Sequence, residues 1–329
     1  MHERAMTYFV GVDGGATKTA AIVVNESGRT VGSGLAGGSN HLRVGIEEAT
    51  RNVERAVSVA LREAGIAIND VSYAYCGIAG SDHPVHRQRV IDSLRLFFPR
   101  DNFIVDTDAR IALTGAVGFG AGIVVISGTG SVAFGRNSAG EESRAGGWGP
   151  TLGDEGSGFW IAREGLSAIV RAHDGRGFAT AMTDLLCSAY QMCSPDDLPK
   201  FVYANTTHVG DIARYGQLVI EAAQIGDTVA NNILARAGSE LADCVLAIAR
   251  RLQMTTTEFP VAYVGGAFHA GELLLNPMRL HLQRDAPGAT LQPPALPPVE
   301  GAAMMARRAA EAPREGRPHE VEEPRAERV

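Results

Sequence analysis

The sequence predicts an α/β protein with two domains. Its 329 residues are enough for two domains of ordinary size. Short β-rich runs alternate with stretches of helical periodicity along most of the chain, an order typical of mixed sheets covered by helices. A pair of β-rich runs joined by a Gly/Thr turn occurs once in each half, which predicts a repeat of topology without a repeat of residues.

The composition narrows the class of protein. Apolar residues make up 45% of the chain and charged residues 20%, as in an ordinary globular protein. The net charge of −7 argues against a general nucleic-acid binder. The apolar runs are too short for a membrane span, and the N-terminus lacks a signal-peptide pattern. Four cysteines without CxxC spacing predict reduced thiols, so we expect a cytoplasmic protein. From the charge and the short apolar runs, we expect that it binds neither nucleic acid nor membrane.

The first predicted domain covers residues 7–115. Three β-rich runs form a meander, and helices and strands then alternate. Its predicted strands are residues 8–12, 19–25, 30–35, 71–78 and 103–105. Its predicted helices are residues 46–64, 84–97 and 108–116.

The second predicted domain covers residues 116–298 and carries a helical insertion. Its predicted strands are residues 122–127, 131–136 and 259–264. Its predicted helices are residues 159–172, 179–190, 212–223, 228–251 and 270–283. After a linker at 293–298, a last helix at 299–312 is assigned to the first domain. Residues 313–329 have almost no apolar side chains and are predicted to be a dispensable disordered tail.

The first glycine-rich loop contains Asp13, Gly14, Gly15, Thr17 and Lys18. Its Lys-Thr pair suggests a P-loop, but no glycine precedes the lysine and a β-rich run follows instead of a helix. The loop therefore predicts a strand–turn–strand hairpin whose amides can face a phosphate. The carboxylate at the strand end can hold Mg²⁺, usually through water. A simple glycine-rich hairpin is the alternative.

The second glycine-rich loop is Gly128-Thr129-Gly130, between two predicted strands. Glycines on either side of a hydroxyl can form a second anion-binding nest. An ordinary tight turn is the alternative for this loop.

Two carboxylates follow the predicted strand 103–105. Asp108 stands where a helix should begin, so it is either a helix N-cap or a catalytic base at a strand–helix junction. We expect the positive end of the helix dipole to keep it ionised, with a pKa that need not be raised. Asp106 is its neighbour, and the residues alone do not rank the two.

Residues 146–158 combine many glycines with Trp148, Asp154 and Glu155. An aromatic ring beside paired acids suits a carbohydrate, because the ring packs on CH groups and the carboxylates bind hydroxyls. The alternative is a helix start at which Asp154 is the cap and Trp148 fills a surface gap. Farther along, Gly265-Gly266 ends a predicted strand and could let an adenine ring lie against bare backbone.

Together these segments resemble the N-acetylglucosamine kinase branch of the sugar-kinase/actin/heat-shock-ATPase superfamily, also described as the BadF/BadG/BcrA/BcrD ATPase family. The likeness covers about residues 7–310. GVDGGATKT resembles the first phosphate loop, SGTGS the second and VGGAF the adenosine motif. GGSNH and GGWGPTLGDEGSG resemble the substrate-binding segments and are the most specific of the five.

The resemblance implies an actin-like (ribonuclease H-like) ATPase fold with ATP and sugar in a cleft between two domains. Phosphorylation of an amino sugar is the implied activity, with Asp108 as the base, Asp13 as the Mg²⁺ residue and ATP as co-substrate. The implied phosphate and ATP contacts are Gly14, Gly15, Thr17, Lys18, Gly128, Thr129, Gly130, Gly265 and Gly266. The implied sugar contacts are Asn40, Gly147, Trp148 and Asp154. We also expect a homodimer, with the last helix packed on the first domain.

The acceptor expected first is the C6 hydroxyl of N-acetylglucosamine, with glucosamine and N-acetylmuramic acid as alternatives. A different class in the same family comprises iron–sulfur activator ATPases of dehydratases or reductases. These need cysteines at a subunit contact, and here Cys76 lies in a predicted buried strand while the other three lie outside glycine-rich loops. A sugar-sensing regulator is a third possibility, but only six residues precede the first predicted domain, too few for a helix-turn-helix.

Overall fold

The computed structural model describes residues 7–98, 100–205 and 209–311. The strands are β1 (Tyr8–Gly14), β2 (Lys18–Asn25), β3 (Thr30–Gly37), β4 (Val71–Ile78), β5 (Phe103–Asp106), β6 (Gly122–Ser127), β7 (Ser131–Arg136), β8 (Glu142–Gly146), β9 (Phe259–Val264) and β10 (Ala289–Gln292). The α-helices are α1 (His41–Val44), α2 (Ile46–Ala64), α3 (Pro84–Leu94), α4 (Asp108–Val117), α5 (Gly158–His173), α6 (Met182–Tyr190), α7 (Leu198–Asn205), α8 (Val209–Ala213), α9 (Gly216–Gln224), α10 (Thr228–Arg251), α11 (Glu272–Asp285) and α12 (Pro298–Glu311).

The described chain divides into two compact units. Unit 1 comprises the described residues up to Gly118 together with those from Ala295 onward, and unit 2 is Phe119–Pro294. The domain limits 7–115 with 299–312, and 116–298, stay predictions about independent domains. The predicted tail at 313–329 lies outside the described residues.

Unit 1 contains a five-stranded mixed sheet in the order β3-β2-β1-β4-β5. β1 to β3 form an antiparallel meander, whereas β4 and β5 run parallel to β1. Parallel strands end at one edge of a sheet, so the residues that follow β1, β4 and β5 are close together. This edge is where the predicted residues Asp13 and Asp108 lie.

Helices cover both faces of the unit 1 sheet. On one face, Val53 and Val57 of α2 pack with Val10 and Val12 of β1. On the other face, α4 and α12 pack against the aromatic side chains of β1 and β4. Gly11 allows the close approach of α12, because a Cβ built on it would be 2.5 Å from the Ala303 nitrogen. α12 thus packs against the sheet of unit 1, and its assignment to an independent first domain stays a prediction.

Unit 2 repeats the arrangement with the order β10-β9-β6-β7-β8. β6 to β8 are antiparallel, and β9 and β10 run parallel to β6. The predicted repeat of topology is therefore confirmed. Its core is formed largely by α5, α9, α10 and α11 against the sheet. Among the described residues, no helix has both the length and the apolar character needed to span a bilayer.

The main differences from prediction are short or interrupted elements. β8, β10, α1 and α7 were not predicted, and each is eight residues or shorter. The helix predicted at 212–223 is instead two helices, α8 and α9. Gly216 begins α9 where the chain passes close to α5, since a Cβ built on Gly216 would be 3.1 Å from the Gly158 carbonyl oxygen. Such a tertiary approach leaves no trace in helical periodicity.

Candidate functional site

The first glycine-rich loop is the predicted hairpin turn between β1 and β2. The Gly15 amide donates to the Lys18 carbonyl at 2.9 Å, which closes the turn. The Gly15 carbonyl in turn accepts from the amides of Ser39 and Asn40, at 2.9 and 3.2 Å. Unit 1 thus brings the predicted phosphate loop and the GGSNH segment into direct contact. The side chains of Thr17 and Lys18 are exposed.

Asp13 lies near the end of β1, in register with Gly77 of β4. Burial raises its pKa to about 6, and the charge of Lys18 opposes that rise. Among the described residues its carboxylate forms no ion pair or side-chain hydrogen bond at contact distance, so its oxygens remain available to a ligand. A hard oxygen donor of this kind fits Mg²⁺, which is commonly held by one or two carboxylates together with water and phosphate oxygens.

Asp108 is the first residue of α4 and is not its N-cap. Thr107 is the cap, and its hydroxyl accepts a hydrogen bond from the Arg110 amide at 3.3 Å. The Asp108 Oδ1 accepts from the Ala109 amide at 3.0 Å, and among the described residues no cation forms an ion pair with this carboxylate. The N-cap interpretation of Asp108 is therefore wrong, because the hydroxyl of Thr107 already fills that position.

The expectation that the helix dipole keeps Asp108 ionised, so that its pKa need not be raised, does not match its environment, which raises the pKa. Burial, with smaller contributions from the charges of Asp13 and Asp82, raises the pKa to about 7, although backbone hydrogen bonds oppose the rise. Desolvation and like charges thus outweigh the helix dipole. A carboxyl group with this pKa is well suited to accept a proton near neutral pH.

Asp106 has a different environment from Asp108. It is 3% exposed and accepts hydrogen bonds from the Tyr75 hydroxyl, the Arg110 guanidinium and the Thr107 amide. Its oxygens are therefore occupied within the protein, while those of Asp108 are not. This contrast separates the two carboxylates that the residues alone left unranked.

Asn40 is the N-cap of α1. Its Oδ1 accepts from the Leu42 amide at 3.1 Å. Gly80, in the loop after β4, lies against it: a Cβ built on Gly80 would be 2.9 Å from the same oxygen. The amide nitrogen of Asn40 has no hydrogen-bond partner among the described residues, so it can donate to a ligand.

The second glycine-rich loop joins β6 and β7 in unit 2. The Gly128 amide donates to the Gly130 carbonyl at 2.9 Å, which makes the turn tight, as the structural alternative predicted. The Thr129 hydroxyl has no hydrogen-bond partner among the described residues and is partly exposed. A tight turn and an available hydroxyl are compatible with a phosphate contact.

The segment predicted to bind sugar folds onto this second loop. The hydroxyls of Ser127 and Ser131 donate to the carbonyls of Gly156 and Glu155, at 2.8 and 2.7 Å. Asp154 is 7% exposed, has a φ of 61° and accepts from the Gly149 amide at 3.2 Å. Burial raises its pKa. Ser157, and not Asp154, caps α5, so the capping alternative for Asp154 is wrong.

The adenosine motif contacts the same loop. Gly265 has a φ of 117°, and a Cβ built on it would be 2.2 Å from the Ser127 carbonyl oxygen. Both the backbone angle and the close approach require glycine at this position. Gly266 is exposed beside it. Unit 2 therefore brings three predicted segments together around Gly128.

Gly147 and Trp148 lie at the end of β8. The Gly147 amide donates to the Ser131 carbonyl at 2.9 Å, and its φ is 73°. The Trp148 ring is 66% exposed, with the Arg144 guanidinium 5.2 Å from its centre. The predicted contact of Trp148 with a sugar stays a prediction.

Sequence reasoning missed the loop after β4. Gly80 lies against Asn40, and the charge of Asp82 raises the pKa of Asp108. The rule that ligands bind at the carboxyl ends of parallel strands would have directed attention there, because β4 lies between β1 and β5. A separate cavity of about 630 Å³ in unit 2 is lined by residues of α5 and α7 and contains none of the predicted residues.

Comparison with known proteins agrees with this geometry. The chain is 30% identical over 309 residues to an N-acetyl-D-glucosamine kinase of Dictyostelium discoideum, covering 91% of this chain and 97% of that protein. It is 31% identical over 282 residues to an N-acetylmuramic acid/N-acetylglucosamine kinase of Clostridium acetobutylicum, covering 86% and 92%. A solved structure from Chromobacterium violaceum, provisionally assigned as an N-acetylglucosamine kinase, is 27% identical with a TM-score of 0.72, covering 92% of this chain and 99% of that one.

The match to a family as a whole covers most of the chain. The model of the BadF/BadG/BcrA/BcrD ATPase family matches residues 10–306, which include both sheets and both glycine-rich loops. The two mixed sheets of equal strand order are those of the actin-like ATPase fold. The chain therefore belongs to the BadF/BadG/BcrA/BcrD ATPase family and has the actin-like ATPase fold.

Proposed function

We propose that this protein is an ATP-dependent sugar kinase that converts N-acetylglucosamine to N-acetylglucosamine 6-phosphate. The observation that carries the proposal is Asp108, a carboxylate without a cationic partner among the described residues and with a pKa raised to about 7. The names of the relatives support the same reaction class and the same group of acceptors.

The base acts on the acceptor hydroxyl. Asp108 accepts a hydrogen bond from the sugar C6 hydroxyl and orients its oxygen towards the γ-phosphorus. The new O–P bond forms as the bond from the γ-phosphorus to the β,γ-bridging oxygen breaks, and ADP leaves with those electrons. The hydroxyl proton passes to Asp108, which the raised pKa favours. Asn40 and Asp154 bind the remaining sugar hydroxyls, with Gly147 and Trp148 beside the sugar.

The phosphate groups are held mostly by backbone and hydroxyl groups. Gly14 and Gly15, with the neighbouring Thr17 and Lys18, form one contact region. Gly128, Thr129 and Gly130 form the other, while Gly265 and Gly266 flank the adenosine. Mg²⁺, held through Asp13, would neutralise phosphate charge that the acidic chain does not. Positioning and charge neutralisation are the main requirements of phosphoryl transfer.

The cellular context completes the proposal. We place the protein in the cytoplasm, where its four free cysteines would stay reduced. We also propose that the activity depends on Mg²⁺. We further propose a homodimer, and gel filtration with light scattering tests this oligomeric state directly.

The acceptor can be identified by a coupled assay of ADP release. N-Acetylglucosamine, N-acetylmuramic acid, glucosamine and glucose are each offered with Mg·ATP, and the product is located by mass spectrometry and ³¹P NMR. We expect the highest kcat/KM with N-acetylglucosamine and a phosphate on C6. Preference for glucosamine or N-acetylmuramic acid would replace the acceptor but keep the reaction class. Turnover with glucose alone, or with no sugar, would overturn the proposal.

A further inference from the structure

The buried carboxylate of Asp106 lies close to the proposed base in the chain, and the reaction does not use it directly. Asp106 ends β5, two residues before Asp108, and its carboxylate is held by Tyr75 of β4 and Arg110 of α4. The Thr107 amide donates to its Oδ1 at 2.7 Å. Asp106 therefore fixes the first turn of the helix that begins with Asp108.

Arg87 of α3 extends this network to a second segment. Its guanidinium lies 3.8 Å from Asp106 Oδ1, and its Nε donates to the Ser81 carbonyl at 3.0 Å. Ser81 is fully buried in the loop between β4 and α3. One arginine thus joins the strand that precedes the base to the loop that follows the neighbouring strand.

That loop contacts two residues of the proposed site and acts on a third through its charge. The Ala79 amide donates to the Gly14 carbonyl at 2.8 Å, in the first phosphate loop. Gly80 lies against the Oδ1 of Asn40. Asp82, next to Ser81, is close enough for its charge to raise the pKa of Asp108. A displacement of this loop would move the support of Asn40 and of the phosphate loop together.

We infer that Arg87 and Asp106 are positioning residues for the kinase reaction, which hold the base Asp108 and the sugar-binding Asn40 in one rigid arrangement. This inference rests on the proposed function. Neither side chain needs to contact the sugar: Asp106 acts through the first turn of α4, and Arg87 acts through the Ser81 carbonyl and Gly80. A misplacement of about 1 Å at a reacting group can cost on the order of 10²-fold in rate.

The geometry also selects the informative variant. Removing Arg87 leaves Asp106 paired with Arg110 and Tyr75, so no buried charge becomes unpaired and the fold should survive. Removing Asp106 would leave Tyr75 and Arg110 without their shared acceptor. Arg87→Met is therefore the main variant, and Arg87→Lys is the conservative one. Arg95→Met is the matched control, because Arg95 caps the same helix in an exposed ion pair with Asp92.

The test measures kcat, the KM for sugar and the KM for Mg·ATP, with thermal unfolding in parallel. For Arg87→Met we expect kcat/KM for sugar to fall by at least about tenfold, the loss expected for one charge-assisted hydrogen bond. The KM for Mg·ATP and the melting temperature should stay near those of Arg95→Met. Arg87→Lys should recover part of the loss, since it keeps the charge but not the forked geometry.

Two results would overturn the inference. The first is Arg87→Met with the same sugar kinetics as Arg95→Met. The second is a fall in kcat/KM for sugar in Arg87→Met that is accompanied by a lower melting temperature and is not smaller in Arg87→Lys. That result would mean that Arg87 stabilises the fold but does not position the site. Both leave the proposed function standing, because that function is overturned by a different result, turnover with glucose alone or with no sugar.

Discussion

The carboxylate of Asp154 lies against the α-carbon of Gly130, so closely that a Cβ built on Gly130 would be 2.6 Å from Asp154 Oδ2. Twenty-four residues separate the two in the chain, yet they join the second glycine-rich loop to the segment proposed to bind sugar. In unit 2, the position of the carboxylate proposed to bind sugar thus depends on the absence of a side chain at Gly130.

This contact predicts the effect of Gly130→Ala. The added methyl group must displace either Asp154 or the loop, because real Cβ contacts are essentially never that short. We expect kcat/KM for sugar to fall by on the order of 10²-fold, in line with the cost of a misplaced group. Gly210→Ala is the control, since among the described residues a Cβ there meets no atom within 4 Å outside its own helix backbone and chain neighbours. Equal kinetics for the two variants would show that Asp154 does not bind the sugar.

A second prediction concerns the hydroxyl of Thr129. Thr129→Val keeps the side-chain shape and removes the hydroxyl, which has no partner among the described residues. Turnover should fall by roughly tenfold, as for the loss of one hydrogen bond to a charged phosphate. The melting temperature should match that of Thr256→Val, a substitution at an exposed threonine of the same unit. Intact turnover with a clear loss of stability would support the tight-turn role alone.

Much of the fold could be predicted from sequence because its central strands are continuous apolar runs. β1, β2 and β6 are buried along most of their length, so their composition alone marks them. β8 and β10 are short edge strands with mixed exposure, and their residues give no period-2 signal. β8 and β10 form by pairing with β7 and β9, and the periodicity of a segment gives no information on such pairing.

The candidate site was predictable only in part, for a related reason. Glycine-rich loops can be recognised in the sequence because their backbone angles and close contacts require glycine, as at Gly265. The different environments of Asp106 and Asp108 cannot be recognised in the sequence, because the partners Tyr75 and Arg87 belong to other strands and helices. Local sequence rules offered an N-cap role and a helix dipole for Asp108, whereas burial and two neighbouring carboxylates determine its pKa.

The third prediction separates those two carboxylates by kinetics. Asp108→Asn keeps the shape of the side chain but cannot accept a proton, so kcat should fall by about 10²–10⁴-fold, the usual contribution of a general base. The KM for sugar should change much less. Asp92→Asn, at an exposed ion pair on α3, provides the control. Near wild-type turnover of Asp108→Asn at saturating sugar and Mg·ATP would exclude Asp108 as the base.

The last prediction concerns stability and pH in the protein without ligands. The pKa of Asp108 is about 7 in the folded state, against the ordinary value of 3.8 that we take for the unfolded chain. The unfolded chain therefore ionises this group first, and its burial costs stability increasingly as the pH rises from about 4 to about 7. The cost is complete above pH 7 and is lost below pH 4.

Asp108→Asn removes that cost, so the variant should be more stable than the wild type at pH 8 and gain less at pH 5. The difference between the two gains should be on the order of 2 kcal/mol, from about two pKa units of titration between these pH values. Urea unfolding of both proteins at the two pH values measures it. A gain independent of pH would mean that Asp108 titrates near its ordinary pKa, and the raised basicity proposed for the reaction would then be wrong.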